Sequence, residues 1–114
     1  MGLGMKPRAR IWIEENGKPL FGDGKVALLE SIERHGSMNK AAKEFGMSYL
    51  HLLKKIKTLE KRLGKKLVET STGGKGGGGT RLTKDGRDIL KKYTRFRKLA
   101  DRELQRIFDR VYIN

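Results

Sequence analysis

Apolar and polar positions alternate in blocks along the chain, and the blocks predict two hairpins and four helices. Over residues 8–21, Ile11, Trp12 and Ile13 form a strand-like run from Arg8 to Glu14. Asn16-Gly17 follows, a turn signal because both central residues of the tightest hairpin turn need positive φ. Lys18 to Phe21 is the return strand, and Pro19 marks it as short or at an edge. Over residues 24–35, Val26, Leu28, Leu29 and Ile32 recur at helical spacing, and Gly36 stands where a helix ends in a left-handed residue. Ser37 is placed to cap a short second helix whose inner face is Ala41, Ala42 and Phe45, closed by Gly46. Ser48 caps a third helix that runs to about Leu63, with Gly64 as its stop.

The third helix is the most informative. At about 100° per residue, with Leu52 at zero, Ile56, Leu59 and Leu63 fall within about 40° and make the buried stripe. Leu50, Lys54, Lys57 and Lys61 fall on the opposite, outer face. Tyr49, at about 60°, suits either the core or the surface, and Leu53 sits at the packed boundary. Residues 66–82 read as a second hairpin, with strands Leu67 to Glu69 and Thr80 to Leu82 around a glycine-rich tip. Thr83 then caps a last helix reaching about Val111. Ile89, Tyr93, Phe96, Ala100, Leu104, Ile107 and Val111 recur on it at near-heptad steps. Its length of roughly 40 Å exceeds what the preceding core can cover, so these residues are the expected dimer seam.

Helix, tight turn, short helix, tight turn and a longer basic helix form a helix-turn-helix. The predicted fold is therefore mainly α with small β-hairpins (α+β): a winged helix-turn-helix with a long C-terminal dimerisation helix. A single domain is expected over 1–114, with an N-terminal hairpin (1–21), a winged-helix core (24–82) and the dimerisation helix (83–112). The second helix of such a unit lies in the major groove of DNA, with its first residues nearest the base edges. Ser48, Tyr49, Leu50, His51 and Lys54 are the candidate readers. Ser48 and His51 can hydrogen-bond to bases or phosphates, and Leu50 can pack on a thymine methyl. Lys54 and Lys57 can reach guanine edges or phosphates. Lys40 and Ser37, at the start of the second helix, suit a phosphate. Lys75 in the glycine loop and Arg81 on the returning strand make a wing that approaches the backbone; the plain alternative is a solvated loop.

Composition narrows the partner. The 114 residues carry 27 Lys+Arg against 13 Asp+Glu, a formal net charge of +14. So basic a chain favours double-stranded DNA or another polyanion. It has no cysteine and two histidines, which argues against disulfides, zinc or thiol catalysis. No cofactor and no metal are expected. No stretch suits a membrane span, and the N-terminus lacks an apolar signal region, so a cytoplasmic location is expected. Gly74, Gly76 and Gly79 meet a G-x-G-x-x-G spacing, but a strand follows where a dinucleotide fold needs a helix. No nucleophile–base arrangement can be assembled, and Glu30, Glu33, Glu60, Asp85 and Asp88 read as surface ion-pair partners. A non-enzyme is expected. A sequence-indifferent architectural DNA binder shares the charge and is the alternative; an RNA-binding module would display more exposed aromatics.

Gly36-Ser37-Met38-Asn39-Lys40-Ala41-Ala42, Gly46-Met47-Ser48-Tyr49, and then Ile56 and Leu59 resemble the DNA-binding domain of LysR-type and ModE-type regulators. Leu67-Val68-Glu69, the run Thr72 to Gly79, and Leu82-Thr83 with Gly86 are similar to the wing of the ModE-type, molybdate-responsive family. The resemblance spans roughly residues 20–110. It implies a homodimer bound to an operator, with Ser37, Asn39, Ser48 and Tyr49 at motif positions of the helix-turn-helix and Lys75 at the wing's. Full-length ModE-type proteins carry C-terminal oxyanion-binding domains, whereas this sequence ends at Asn114, so molybdate binding is not expected of this chain.

Overall fold

The computed structural model describes residues 4–71 and 79–113. Within them the order is β1 (Trp12–Glu15), β2 (Lys18–Gly22), α1 (Asp23–His35), α2 (Met38–Glu44), α3 (Tyr49–Leu63), β3 (Val68–Ser71), β4 (Gly79–Leu82) and α4 (Lys84–Tyr112). The strands form two separate antiparallel pairs, β1 with β2 and β3 with β4. The predicted fold class stands: helices carry most of the core, and each hairpin adds residues at its edge.

The first hairpin turns at Asn16 and Gly17, both at positive φ (52° and 78°), as a type I′ turn requires. Its first strand is shorter than expected and begins at Trp12, not Arg8. The Ile11 carbonyl accepts the N–H of Asp23 instead of a strand partner. Ile13 faces Phe21 and Glu14 faces Pro19, so Leu20 is the extra residue of a bulge. The bulge turns Leu20 into the core, where it is buried.

The core gathers Leu28, Leu29 and Ile32 from α1, Met38, Ala41 and Ala42 from α2, and Leu52, Ile56 and Leu59 from α3, with Leu67, Val68 and Leu82 sealing one end. Ala41 and Ala42 are small where α2 meets its neighbours, which lets the helices approach closely. Phe45 is not on that inner face: α2 ends at Glu44, so Phe45 lies past its last turn and stays 39% exposed. Thr83 caps α4 through its hydroxyl. A Cβ on Gly86 would lie 2.2 Å from the Leu67 carbonyl oxygen, so only glycine lets α4 start this close to β3.

The first turns of α4 pack on α1 and β4. The rest extends away, and the molecule measures 61 × 32 × 24 Å. One expected seam residue belongs elsewhere: Tyr93 is buried (6% exposed). Its ring packs edge-on to Phe21, and its hydroxyl donates to the Ile11 carbonyl at 3.0 Å and to the Asp23 carboxylate. Burial, and then the Asp23 carboxylate, push its pKa up to about 12. It is a buried residue of this chain because the N-terminal hairpin folds over it. Ile89 is likewise partly covered by the core.

Candidate nucleic-acid interface

Two caps set the ends of the helix-turn-helix. The Ser37 hydroxyl accepts the Lys40 N–H at 3.1 Å, and the Ser48 hydroxyl accepts the His51 N–H at 3.1 Å. Between them the chain reverses through Phe45 to Met47, whose N–H groups bond back to carbonyls of α2. A polar knot pins the far end of α2 to α1. The buried Ser31 hydroxyl donates to Glu44 at 2.5 Å, and Arg34 donates to both Glu44 oxygens at 3.0 Å. His35 Nε2 lies 3.0 Å from the same carboxylate. Hydrogen bonds from Ser31 and then Arg34 hold the Glu44 carboxyl down to about 2.

Held this way, α3 buries Leu52, Ile56 and Leu59 and turns its other side to solvent. Leu50 is 72% exposed at the front, the most exposed large apolar side chain among the described residues. Tyr49 resolves to the surface (40% exposed). His51 and Lys54 are exposed near Leu50, Lys61 is exposed about three turns further along α3, and Asn39 and Lys40 are exposed on α2. Lys57 is exposed too, with its ammonium 3.6 Å from the buried Glu60 carboxylate.

The second hairpin docks against the start of the helix-turn-helix. The Thr80 N–H donates to the Gly36 carbonyl at 3.0 Å. The junction leaves a hollow of about 240 Å³ lined by Ser37, Asn39 and Tyr49 from the helices and by Thr70, Ser71 and Thr80 from the strands. Sequence reading named the three helical residues but missed the strand hydroxyls. Their spacing carries no signal until the wing is folded back. Arg81 is exposed but not free: its guanidinium donates to Glu69 across the ladder at 2.9 Å. Lys75 lies outside the described residues.

Glu60 departs from its reading as a surface ion-pair partner. It is buried, and one oxygen accepts the N–H groups of both Leu67 and Val68. On α4, Phe96, Ile107 and Val111 are exposed while Ala100 and Leu104 are half-buried. Leu99, missed because it falls one position off the heptad step, is exposed beside them. Among the described residues no cluster of His, Asp or Glu could hold a metal ion. No helix there is long and apolar enough to cross a membrane.

A capped short helix, a tight turn, a second helix with a cationic exposed front and a hairpin beside it define a winged helix-turn-helix DNA-binding domain. The chain belongs to the bacterial regulatory helix-turn-helix proteins of the lysR family, whose model matches residues 24–87. It is similar to the molybdenum transport protein ModE of Azotobacter vinelandii, 36% identical over 103 residues that cover 90% of this chain and 37% of that protein. The molybdenum-pterin-binding protein MopA of Rhodobacter capsulatus is 35% identical over 82 residues, 72% of this chain and 31% of that protein. The chain spans about a third of the length of these curated relatives. The resemblance to ModE-type regulators therefore holds, over their N-terminal DNA-binding region. Among solved structures, the complex of the CbnR DNA-binding domain with DNA matches with a TM-score of 0.60 and 26% identity, covering 77% of this chain and 95% of that one.

Proposed function

We propose that this chain is the sequence-specific DNA-binding unit of a transcriptional regulator and works as a homodimer joined along α4. The observation that carries the reading is the division of α3: one side is buried in the core, and the other presents Leu50, Lys54 and Lys57 to solvent on a ridge. Leucine on such a ridge suits a thymine methyl, and lysine suits guanine or phosphate. Ser37, Asn39, Lys40 and Tyr49 border the ridge where a DNA strand would pass. The solved DNA complex of the CbnR domain supports this use of the fold.

The dimer rests on α4. Phe96, Leu99, Ile107 and Val111 are exposed along a helix whose far half extends past the core. A second copy covering them would remove several large apolar side chains from water, each worth about 1.5–3 kcal/mol when fully buried. Two recognition helices would then enter successive major grooves about 34 Å apart on a pseudo-palindromic site. If the dimer neutralises about 8 phosphates, log K should fall against log salt with a slope near −7. Molybdate is expected to leave the thermal midpoint of this chain unchanged.

Selection of bound sites from random duplexes tests the reading. A recurrent two-fold motif, protected in a footprint against excess random DNA, supports it. Uniform protection with no preferred site would replace it with the architectural alternative.

A further inference from the structure

The flank of α3 that faces the N-terminal hairpin carries a cationic stripe that adjoins the front at His51 and Lys54. His51, Lys55, Thr58 and Arg62 recur at steps of four, three and four residues. They lie about 60–120° from Leu52, on the side away from Glu60. Lys25 from α1 and Lys54 from α3 join His51, Lys55 and Thr58 around an open concavity of about 370 Å³, and Arg62 continues the stripe one turn further.

Two of these cations are aimed by uncharged groups. Lys25 Nζ donates to the Leu20 carbonyl at 3.2 Å, and the Arg62 guanidinium donates to the Pro19 carbonyl. Both carbonyls belong to β2, at and beside its bulge. A backbone carbonyl orients a cation without cancelling its charge, whereas a carboxylate would do both. Among the described residues, none of Lys25, Lys54, Lys55 or Arg62 has a carboxylate within 4.0 Å. The crowding is felt: burial, and then the charges of Lys55 and Arg62, push the Lys25 ammonium pKa down. One anion in the concavity would relieve this repulsion and accept several donors at once.

A helix in the major groove has a phosphate backbone on each side. The β3–β4 hairpin and the start of α2 lie toward one side of α3, and this stripe lies toward the other. From His51 to Arg62 is about 16 Å along the helix axis, room for more than one phosphate contact. We propose that the stripe seats the DNA backbone bordering the groove on the side away from the wing, and that the N-terminal hairpin is the scaffold that aims Lys25 and Arg62 at it. This rests on the DNA-binding reading and adds to it a second backbone clamp built from the hairpin, α1 and α3.

The test uses the full chain and the duplex recovered by site selection, with log K followed against log salt. Each phosphate contact contributes about 0.9 to the slope. Lys55→Gln and Lys25→Gln should each flatten it by nearly 2 in a dimer that presents the flank twice. Binding to preferred and random duplexes should weaken by the same factor. Thr58→Lys should steepen the slope by a similar amount, a gain that partial unfolding cannot mimic. Wild-type slopes in both Lys55→Gln and Thr58→Lys, with binding still lost in Lys54→Ala, would overturn the clamp and leave the DNA reading intact. A wild-type chain that bound no duplex would overturn both. Inorganic phosphate is the second arm. If it raised the thermal midpoint of the free protein, and Lys55→Gln abolished that rise without altering the duplex slope, the stripe would be a free-anion site and the backbone assignment would fall.

Discussion

Glu60 and Leu67 are joined across the boundary between the recognition helix and the wing: the carboxylate oxygen accepts the Leu67 N–H at 2.7 Å. The same oxygen accepts the Val68 N–H at 3.3 Å. A buried carboxylate is tolerated only when its lone pairs are engaged, and here they fix where β3 starts. Glu60→Ala should cost about 1–3 kcal/mol by leaving buried donors unpaired, with Glu60→Gln costing less. Urea unfolding measures this, and a Glu60→Ala variant as stable as wild type would show that the bond contributes nothing.

The Glu44 knot makes stability depend on acid. The folded-state pKa of Glu44, about 2, lies below its ordinary value of 4.5. Its stabilising contribution is therefore complete above the unfolded value and is lost as pH falls from about 4.5 toward 2. The thermal midpoint of wild type should drop over that window, and that of Glu44→Gln should start lower and drop less. Parallel curves would show that other carboxylates, Asp23 and Glu30 among them, carry the acid sensitivity.

Ala41 is fully buried where α2 meets the core. Ala41→Leu adds volume that the helices cannot accommodate without moving apart, and should cost about 1–3 kcal/mol. DNA affinity should fall with it, since α2 sets the position of α3. Normal melting and normal binding in this variant would contradict the close approach.

Two positions on α4 should separate association from folding. Ile107→Asp places a charge in the exposed apolar strip and should shift sedimentation from dimer to monomer. Tyr93→Phe removes a hydroxyl that bonds within its own chain; it should lower stability by about 1–3 kcal/mol and leave the oligomeric state alone. Tryptophan fluorescence reports directly on the hairpin, because Trp12 is the only tryptophan in the chain.

Lys54→Ala distinguishes base reading from backbone contact. A loss of about 1–3 kcal/mol confined to sites with one particular base pair marks a base contact. An equal loss on all duplexes marks a phosphate contact.

Much of this protein was legible in its residue pattern because the signals are local. Ser37, Ser48 and Thr83 cap helices by bonding to N–H groups three residues on; Gly36 and Gly64 end helices; Asn16-Gly17 turns a hairpin. Each of these depends only on its immediate neighbours in the chain, and the helical period of Leu52, Ile56 and Leu59 dictates which side of α3 is buried. What tertiary structure decided are contacts between residues far apart in sequence. Glu60 looked like a surface acid until β3 brought its N–H groups to it. Tyr93 kept its place in a heptad-like series until the hairpin and its flanking residues, with contacts 70 and 82 positions earlier, folded over it. Lys25 and Arg62, 37 positions apart, share a flank only because both reach carbonyls of β2, those of Leu20 and Pro19. A periodic pattern shows that a side chain is covered, but the covering element is chosen by the packing of the whole chain.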